Sequence, residues 1–293
     1  MNIIKKAREF IRLMHYWSRH PVGSRNIPGT ILRFLRWQIG TRLLNYPIIV
    51  PWIGTTFLCM ERGMAGATMN YYCGLHEFSE MAFLLHFLRP GDLFLDIGAN
   101  IGSYSLLASG VCKARSLVLE PVPETYARLL RNIAVNGLSE LVIPCRAAMG
   151  ERAGIISFTA DKDTMNHVAP KGYAGTSIDV PISTVDEVLK GLPESTFWKI
   201  DVEGHERQVF EGASLAMQNA SLKAMLVEST PHCVASRFKE LGFLPYQYEP
   251  FSRTLSLLTT HIGVINCLWV RDLEFVNVRL RNAEEINVLG LSF

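Results

Sequence analysis

The sequence predicts an α/β fold with a mostly parallel seven-stranded sheet and helices on both of its faces. Three observations support this prediction. From residue 75 onward, short apolar runs alternate with stretches of helical periodicity, which is typical of β-α-β units. The runs are almost continuously apolar, as expected for strands that are buried on both faces. One helix has Pro123 just inside its start and Gly137 just past its end, as helices commonly do.

The predicted elements follow one another in a regular order. Five buried strands are expected at residues 93–98, 116–121, 141–148, 197–204 and 222–229. Helices are expected at residues 75–88, 102–109, 123–135 and about 206–217. Residues 154–160 and 177–183 are predicted to form an antiparallel excursion around a loop. Residues 254–259 and 264–270 are predicted to form a final hairpin, which brings the sheet to seven strands.

Residues 1–74 are predicted to form a basic, apolar N-terminal extension of a domain that spans residues 75–293. Within it, residues 3–17 and 31–44 carry apolar side chains at helical spacing. Residues 1–42 hold nine lysines and arginines and one acid, a charge of +8, whereas the whole chain carries +2 and the remaining 251 residues therefore −6. Such a segment either contacts an anionic membrane or a membrane-bound partner, or packs on the body with a basic face exposed. Both interpretations remain open at this stage.

One stretch of the extension approaches the length of a membrane span. The 18 residues between Arg42 and Glu61 are uncharged, which is the lower limit for a transmembrane helix. Pro47 and Pro51 lie within the stretch, and proline disrupts a helix interior. The sequence therefore predicts two buried strands around a turn here and not a spanning helix.

The composition excludes several classes of protein. Hydrophobic residues make up 48% of the chain and charged residues 19%, which allows a large core and excludes intrinsic disorder. A net charge of +2 argues against a generic polyanion binder. The six cysteines show no metal-binding spacing, and Arg8 and Arg12 interrupt the first apolar stretch, so neither disulfides nor a signal peptide is predicted. We expect a cytoplasmic protein, peripheral at the inner membrane face if residues 1–44 bind lipid.

The end of the first core strand indicates a cofactor site. The run from Asp96 to Gly102 reads DIGANIG, and its glycines allow the backbone to approach a ligand closely. Glu120 ends the next strand, where a carboxylate would accept hydrogen bonds from both ribose hydroxyls of a nucleoside. The turn lacks the GxG of dinucleotide sites, and an acid here would repel a pyrophosphate. S-adenosylmethionine carries a sulfonium and an ammonium, so the charge pattern favours it over NAD.

The end of the fourth strand indicates a second functional element. Lys199, Asp201, Glu203 and His205 are four titratable residues within a span of seven. Alternation would place the first three on one side if the chain stays extended. One interpretation is an acceptor site beside the cofactor, with an acid or His205 as proton acceptor. The other is a structural cluster in which Lys199 neutralises Asp201 and shapes the turn.

Three blocks of this sequence resemble the FkbM-type S-adenosylmethionine-dependent methyltransferases. They read GDLFLDIGANIGSYSLLAS, LEPVPETYARLLRNIAVNG and WKIDVEGHERQVFEGA, and the resemblance covers residues 75–230. It implies a class I, Rossmann-like methyltransferase fold. It also implies methyl transfer to oxygen, on a hydroxyl of a sugar, a glycolipid or polysaccharide, or a specialised metabolite.

The resemblance, together with the reasoning on the strand ends given above, assigns residue roles to this chain. The predicted cofactor-binding residues are Glu77, Asp96, Gly98, Ala99, Asn100, Gly102, Ser105, Glu120, Pro121, Ala147 and Ala148. The predicted catalytic residues are Asp201, His205, Glu203 and Lys199. Glu206 and Glu228 also match recurring acids of the family. Residues 1–73, 161–176 and 235–293 lack the family's signatures, and we expect acceptor choice to depend on them.

In the expected mechanism, the protein aligns the acceptor oxygen with the activated methyl group, and Asp201 removes the acceptor proton. His205 is the second candidate for this base, and His76, His232 and the pair Asn166-His167 are weaker ones. Asp201 and Glu228 would supply oxygen ligands to Mg²⁺ in a metal-assisted version, but no acid-amide pair follows Glu228, and we predict no metal.

Rival functions are a methyltransferase acting on nucleic acid or protein, an NAD(P)-dependent oxidoreductase, and a non-catalytic scaffold at the membrane. The negative charge of the body argues against a nucleic-acid partner, because phosphate binding requires a basic groove. We therefore predict a small-molecule or glycan acceptor and no nucleic acid. The oligomeric state stays open.

Overall fold

The computed structural model describes residues 2–44, 46–159, 166–170 and 172–293, with side chains from residue 8 onward. Its strands are β1 (Ile48–Pro51), β2 (Phe57–Met60), β3 (Leu93–Ile97), β4 (Arg115–Leu119), β5 (Val142–Cys145), β6 (Ala148–Met149), β7 (Gly154–Thr159), β8 (Ser177–Ser183), β9 (Ser195–Ile200), β10 (Ala224–Val227), β11 (Leu244–Glu249), β12 (Thr254–Leu257), β13 (Cys267–Val270), β14 (Asn287–Val288) and β15 (Leu291–Ser292).

The helices alternate with the strands of the main sheet. They are α1 (Asn2–Arg19), α2 (Ile27–Leu43), α3 (Ala65–Cys73), α4 (Phe78–Phe87), α5 (Ser103–Ser105), α6 (Pro123–Val135), α7 (Val185–Val188), α8 (Glu206–Glu211), α9 (His232–Glu240) and α10 (Leu273–Arg281). A π-helical segment, Leu106–Val111, continues α5. Pro123 begins α6, and Gly137 with a φ of +63° follows its end, as the sequence predicts.

The main sheet confirms the predicted fold class. Its order is β12-β11-β13-β10-β9-β3-β4-β5, and the five strands from β10 to β5 run parallel to their neighbours. Strand β13 is antiparallel to both β10 and β11. The sheet has eight strands, one more than predicted, because β11, which the sequence analysis did not predict, lies between β12 and β13.

The predicted final hairpin is wrong. Strand β12 pairs with β11, which the sequence analysis did not identify, and β13 inserts between β11 and β10. Burial explains the arrangement: every residue of β13 is buried, whereas β12 is mostly exposed. A fully apolar strand is stable inside the sheet, and a half-polar one belongs at its edge.

Alternating side chains divide the core between the two faces of the sheet. Phe94, Phe197 and Leu226 belong to one cluster of buried residues, and their neighbours Leu95 and Trp198 belong to another. The first cluster includes residues of α4 and α10, and the second includes residues of α8 and α9. Helices therefore cover both faces, which leaves the ends of the strands as the place for a site.

The N-terminal extension packs onto this body. Strands β1 and β2 form an antiparallel pair, which confirms the two strands around a turn. The prediction that both are buried is wrong for β1, which lies at the surface and has no buried residue, whereas β2 is mostly buried. Trp17 of α1, Trp37 of α2 and Leu58 of β2 share one buried cluster with Leu129 and Ile133 of α6. In the described part of the chain, no helix combines the length and the apolar character needed to cross a membrane. The division at residue 74 stays a prediction, since the two parts share this cluster.

The predicted excursion is also observed. Strands β7 and β8 pair antiparallel, and β6 joins them in a three-stranded sheet. Val122, Ala148, Phe158 and Val180 form the small core beneath this sheet. Residues 160–165 and 171 of the loop between β7 and β8, where part of the acceptor selection was predicted, lie outside the described residues. The excursion thus stands beside the carboxyl ends of β4 and β5.

Candidate functional site

A cavity of about 370 Å³ opens at the carboxyl ends of the parallel strands. This volume lies within the range of small-molecule sites in proteins. Twelve of the fifteen predicted site residues line it: Glu77, Gly98, Ala99, Asn100, Glu120, Pro121, Ala147, Ala148, Lys199, Asp201, Glu203 and His205. The structure does not bring Asp96, Gly102 and Ser105 to the cavity wall.

The glycines of the first turn are required by packing. Gly98 has a φ of +78°, and a Cβ atom there would lie 1.8 Å from the backbone oxygen of Asp201. Gly102 has a φ of +89°, and its Cβ would lie 2.5 Å from Leu129. Gly98 thus allows the turn after β3 to contact the turn after β9, and this contact brings the two predicted functional segments together.

Glu120 directly follows β4 and holds the turn after β3 in place. Its carboxylate accepts hydrogen bonds from the backbone N–H groups of Asn100, at 3.0 Å, and Val122, at 2.9 Å. Asn100 has a φ of +52°, and its own side chain accepts from the N–H of Ile101. Burial raises the pKa of Glu120 to about 8. Each carboxylate oxygen retains a further lone pair, so Glu120 still has acceptor capacity for ligand hydroxyls.

The raised pKa of Glu120 makes a prediction about stability. An acid whose pKa is higher in the folded state stabilises it at low pH, and this stability is lost as the pH rises from 4.5, its ordinary value, to about 8. We expect the melting temperature of the ligand-free protein to fall across this window. A shift of this size corresponds to several kcal/mol, roughly 1.4 kcal/mol for each pKa unit.

The variant Glu120→Gln has no such titration, so its melting temperature should depend less on pH. Melting curves at intervals from pH 5 to pH 9 would measure both slopes. Glu140→Gln, at an exposed acid, is the matched control and should behave as the wild type does. Parallel curves for wild type and Glu120→Gln would contradict the assignment.

Asp96 lies behind the cavity and not in its wall, which corrects the expectation that it faces a cationic cofactor. Its side chain is 1% exposed, and one carboxylate oxygen accepts a hydrogen bond of 2.6 Å from Ser105. Burial raises its pKa, and the charge of Lys199 opposes that rise. The other oxygen has no hydrogen-bond partner among the described residues. Asp96 and Ser105 therefore support the turn and the buried lysine from within the sheet.

Lys199 and Asp201 form the charged centre of the cavity. Lys199 is buried, and its Nζ donates to Oδ2 of Asp201 at 2.6 Å. Burial lowers the pKa of Lys199, but the charges of Asp201, Glu77 and Asp96 outweigh it and raise the pKa overall. Burial likewise opposes ionisation of Asp201, and Lys199 reverses this and lowers its pKa. The pair is therefore ionised, as the structural interpretation of this cluster predicts.

Glu228, at the end of β10, completes this centre. It lines the cavity next to Asp201, and burial, followed by the negative charges of Asp201 and Glu203, raises its pKa. A protonated Glu228 beside an ionised Asp201 amounts to one proton shared between two carboxyl groups. Glu228 directly follows a parallel strand, as Glu120 does, and ligands bind at the carboxyl ends of such strands. This position after a strand is the sequence signal that would have placed Glu228 among the predicted site residues.

The turn after β9 places the remaining predicted catalytic residues. Strand β9 ends at Ile200, so strand alternation does not determine the position of Glu203. Glu203 itself has a left-handed backbone conformation, with a φ of +50°, and it lines the cavity. Burial raises the pKa of Glu203, and burial lowers the pKa of His205. Glu206 is buried and accepts a hydrogen bond from the N–H of Gly204, so it shapes the turn.

Among the cavity residues that the sequence analysis did not predict, three make polar contacts that shape the wall. Tyr104 donates from its hydroxyl to Glu77 at 2.7 Å, and the Asn266 amide donates to the other oxygen of Glu77 at 2.6 Å. Asn70 of α3 accepts from the N–H of His76 at 2.8 Å. All three line the cavity. Asn70 and Asn266 lie outside the resembling blocks, and no local pattern indicates their contacts.

The weaker candidates for a base are placed as follows. His76 and Asn166 line the cavity, whereas His232 does not. His76 has a lowered pKa, because burial outweighs the charge of Glu77. Val168, also in the wall, shows that the segment after the undescribed loop residues reaches over the pocket.

The lining fits a cationic cofactor. Five acids, Glu77, Glu120, Asp201, Glu203 and Glu228, lie in the wall, against the single cation Lys199 among its described residues. The pKa values of Glu120, Glu203 and Glu228 are raised, as expected for crowded and buried carboxyl groups. A sulfonium or ammonium group would relieve this repulsion, and a pyrophosphate would increase it.

The sheet and this cavity define a class I, Rossmann-like methyltransferase, a class whose cofactor is S-adenosylmethionine. The family model "Methyltransferase FkbM domain" matches residues 96–243, which is half of the chain. The chain belongs to this family.

Two curated relatives and one solved structure give the nearest context. The Hexuronic acid methyltransferase AglP of Haloferax volcanii is 32% identical over 139 residues, covering 47% of this chain and 56% of that protein. The 31-O-demethyl-FK506 methyltransferase FkbM of Streptomyces tacrolimicus is 27% identical over 171 residues, covering 46% and 65%. A crystal structure of Methyltransferase FkbM from Methylobacillus flagellatus is 15% identical, with a TM-score of 0.41, and covers 84% of this chain and 59% of that one. The match thus spans less than two thirds of each relative's length.

Proposed function

We propose that this protein is an S-adenosylmethionine-dependent O-methyltransferase. Its acceptor would be a hydroxyl of a sugar, a glycolipid or polysaccharide, or a specialised metabolite. The observation that carries the proposal is one cavity that contains both the Glu120 turn and the Lys199–Asp201 pair. The relatives named for a hexuronic acid and for a 31-O-demethyl substrate support oxygen as the acceptor atom.

The cavity wall suggests how the cofactor would be held. Glu120 would accept the ribose hydroxyls, with the backbone from Gly98 to Asn100 packed against the nucleoside. Ala147 and Ala148, which sit at the junction of β5 and the excursion, would border the adenine. Glu77 is fixed by Tyr104 and Asn266 and would face the cationic end.

For the chemistry, the bound cofactor supplies a methyl group that is activated by its sulfonium. Asp201 would accept the hydroxyl proton as the new C–O bond forms and the C–S bond breaks, leaving the proton on its carboxyl group. Lys199 holds Asp201 in place at 2.6 Å and keeps it ionised. His205, whose lowered pKa keeps it neutral, is the alternative base in the same wall.

A metal-assisted reaction has a structural basis, which we weigh against this scheme. One oxygen from each of Asp201, Glu203 and Glu228 lies within 4.8 Å of the others, a spacing that would suit a divalent cation. Lys199 already neutralises the charge of Asp201, and a protonated Glu228 carries no charge that a cation would have to neutralise. We therefore propose transfer that does not require a metal.

Nucleic acid remains the principal alternative acceptor. Its backbone would have to approach a cavity whose wall holds five acids. The electrostatics thus favour a small or glycan acceptor over a polyanion. A steep fall of RNA or DNA binding with rising salt, retained when residues 1–44 are removed, would instead support the nucleic-acid alternative. A scaffold without activity is tested by the cofactor measurement below.

The proposed function predicts a ligand-dependent gain in thermal stability. S-adenosylmethionine or S-adenosylhomocysteine at 100 times its dissociation constant should add about 2.7 kcal/mol, a rise of several degrees in melting temperature. NAD at the same concentration should give no rise, because its pyrophosphate meets the acidic wall. Differential scanning fluorimetry with the three ligands is the measurement. A rise with NAD alone would contradict the assignment, and no rise with any ligand would favour the scaffold.

We also propose that residues 1–44 make a peripheral contact with a membrane. The charge of +8 on residues 1–42 supports this proposal, because anionic lipids attract basic segments at their surface.

A further inference from the structure

The helix α2 is apolar on two opposite sides. Its inner side packs on the protein through Phe34 and the buried Thr30 and Trp37. Its outer side carries a stripe formed by Leu32, Leu35, Ile39 and Leu43, which have between 47% and 77% of their surface exposed. The spacings of three and four residues place these four side chains on one helix face. Nothing in the described part of the chain covers this face.

The exposed apolar surface continues beyond the helix. Leu44, Tyr46 and Ile49 follow it along the chain and are also exposed. Together with the stripe they form what we call the outer α2 surface: Leu32, Leu35, Ile39, Leu43, Leu44, Tyr46 and Ile49. Exposed apolar residues that share one helix face, as those of the stripe do, mark an interaction site, whereas scattered apolar residues do not.

The charges around the outer α2 surface have one sign. Arg36 and Arg42 are exposed on the same helix, and no acidic residue occurs between Glu9 and Glu61. A second copy of this chain would bring two surfaces of like charge together, which opposes self-association. An anionic lipid bilayer complements both properties, since leucines enter the acyl boundary and arginines reach the phosphates.

The docking face differs from the one that the sequence indicates. The apolar periodicity of α1 is the more regular, but its Leu13, Met14 and Trp17 pack against the body. Trp17 contacts Phe34 and Tyr72 in aromatic pairs. Only Phe10 and Ile11 of the described apolar residues on α1 are exposed. Among the residues of the extension whose side chains the structure describes, the available apolar face therefore belongs to α2.

We propose that the outer α2 surface docks on an anionic lipid bilayer, with its apolar stripe in the acyl boundary and Arg36 and Arg42 at the lipid phosphates. This proposal refines the membrane contact given under the proposed function, and it names the surface and the lipid charge. Helix α3 connects the surface to the cavity: its Tyr71 ring contacts Trp37 of α2, and its Ala65, Gly66 and Asn70 line the cavity. The cavity thus lies one helix away from the bilayer, within reach of an acceptor carried on lipid.

The test is flotation of the full-length protein with lipid vesicles at low and high salt. Vesicles of phosphatidylcholine with 30% phosphatidylglycerol should carry the protein, and pure phosphatidylcholine should carry about tenfold less or none. The double variant Leu35→Ser/Ile39→Ser should bind the anionic vesicles at least about tenfold more weakly. Arg36→Gln/Arg42→Gln should bind more weakly and with less dependence on salt.

A matched control uses an apolar residue that is exposed elsewhere. Ile155→Ser, at a residue of β7 that is 78% exposed, should leave vesicle binding unchanged. Sedimentation velocity of wild type and the stripe variant should show the same mass, because the proposal does not involve a dimer. A wild-type dimer that dissociates in the stripe variant would assign the surface to a second copy and overturn the proposal.

Two further outcomes would overturn it. One is no binding of the wild type to anionic vesicles, and the other is binding that the stripe variant retains in full. The thermal shift with S-adenosylmethionine, measured on the same preparations, keeps the two proposals separate. A protein that binds vesicles without a shift contradicts the proposed function alone, and a shift without vesicle binding contradicts the docking surface alone.

Discussion

Asp201→Asn should lower the rate of methyl transfer by roughly 10²- to 10⁴-fold, the usual contribution of a general base. The asparagine keeps the size of the side chain and accepts a hydrogen bond from Lys199, but it cannot take the proton of a hydroxyl. The affinity for S-adenosylmethionine should change little, because the proposed cofactor contacts lie at Glu120 and Glu77. The measurement is the rate of S-adenosylhomocysteine formation with an acceptor identified by screening sugar and metabolite hydroxyls.

A comparison within the same wall sharpens this test. Glu203→Gln removes a neighbouring carboxylate but leaves the Lys199–Asp201 pair intact, so it should reduce the rate far less. Assays with and without EDTA should give the same wild-type rate, since no metal is proposed. Full activity of Asp201→Asn would exclude Asp201 as the base and make His205 the first candidate.

Gly98→Ala should destabilise the fold by more than about 3 kcal/mol and abolish cofactor binding. A Cβ at this position would lie 1.8 Å from the backbone oxygen of Asp201, and the φ of +78° is unfavourable for alanine. Backbone cannot move aside as a flexible side chain can, so the turns after β3 and β9 would separate. Urea denaturation followed by circular dichroism measures the loss.

The variant Gly137→Ala is the control that measures the cost of placing alanine at a positive φ without a steric clash. Gly137 has a φ of +63° with no atom within 4 Å of a Cβ, so alanine there should cost about 1 kcal/mol and leave cofactor binding unchanged. Equal losses in the two variants would mean that the contact with Asp201 does not determine the need for glycine at residue 98.

The fold was largely predictable because its main signals are local. The buried strands from β3 to β10 are short apolar runs, and the ends of α6 carry proline and glycine. Strand β11 was not recognised, and pairing of the last strands was wrong. Partner choice at this edge depends on how much of β12 and β13 is buried, which is a property of the assembled sheet and not of either segment.

The site was predictable where a functional residue follows a strand directly. Glu120 and Asp201 both lie in the cavity wall for that reason. The position of Asp96 was not predictable in this way, because alternation along β3 places its side chain next to Ser105 and Lys199, away from the cavity wall. The contacts of Glu77 with Tyr104 and Asn266 could not be predicted from the sequence either, because they join residues up to 189 positions apart.

The position of Glu77 has a consequence for the size of the working unit. Its hydrogen bond from Asn266 ties the segment before the family match, residues 96–243, to a loop that follows the match, and its hydrogen bond from Tyr104 ties that segment to the match itself. A fragment cut to the homologous region would lose the first three residues of β3, together with His76, Glu77 and Asn266 from the cavity wall. Donor recognition is thus largely built from the shared core, and the enclosure around the reacting centre is completed by the flanking parts of the chain. Exchange of those flanks between relatives would therefore have to retain Glu77 and Asn266 if acceptor preference is to change while the methyl donor stays the same.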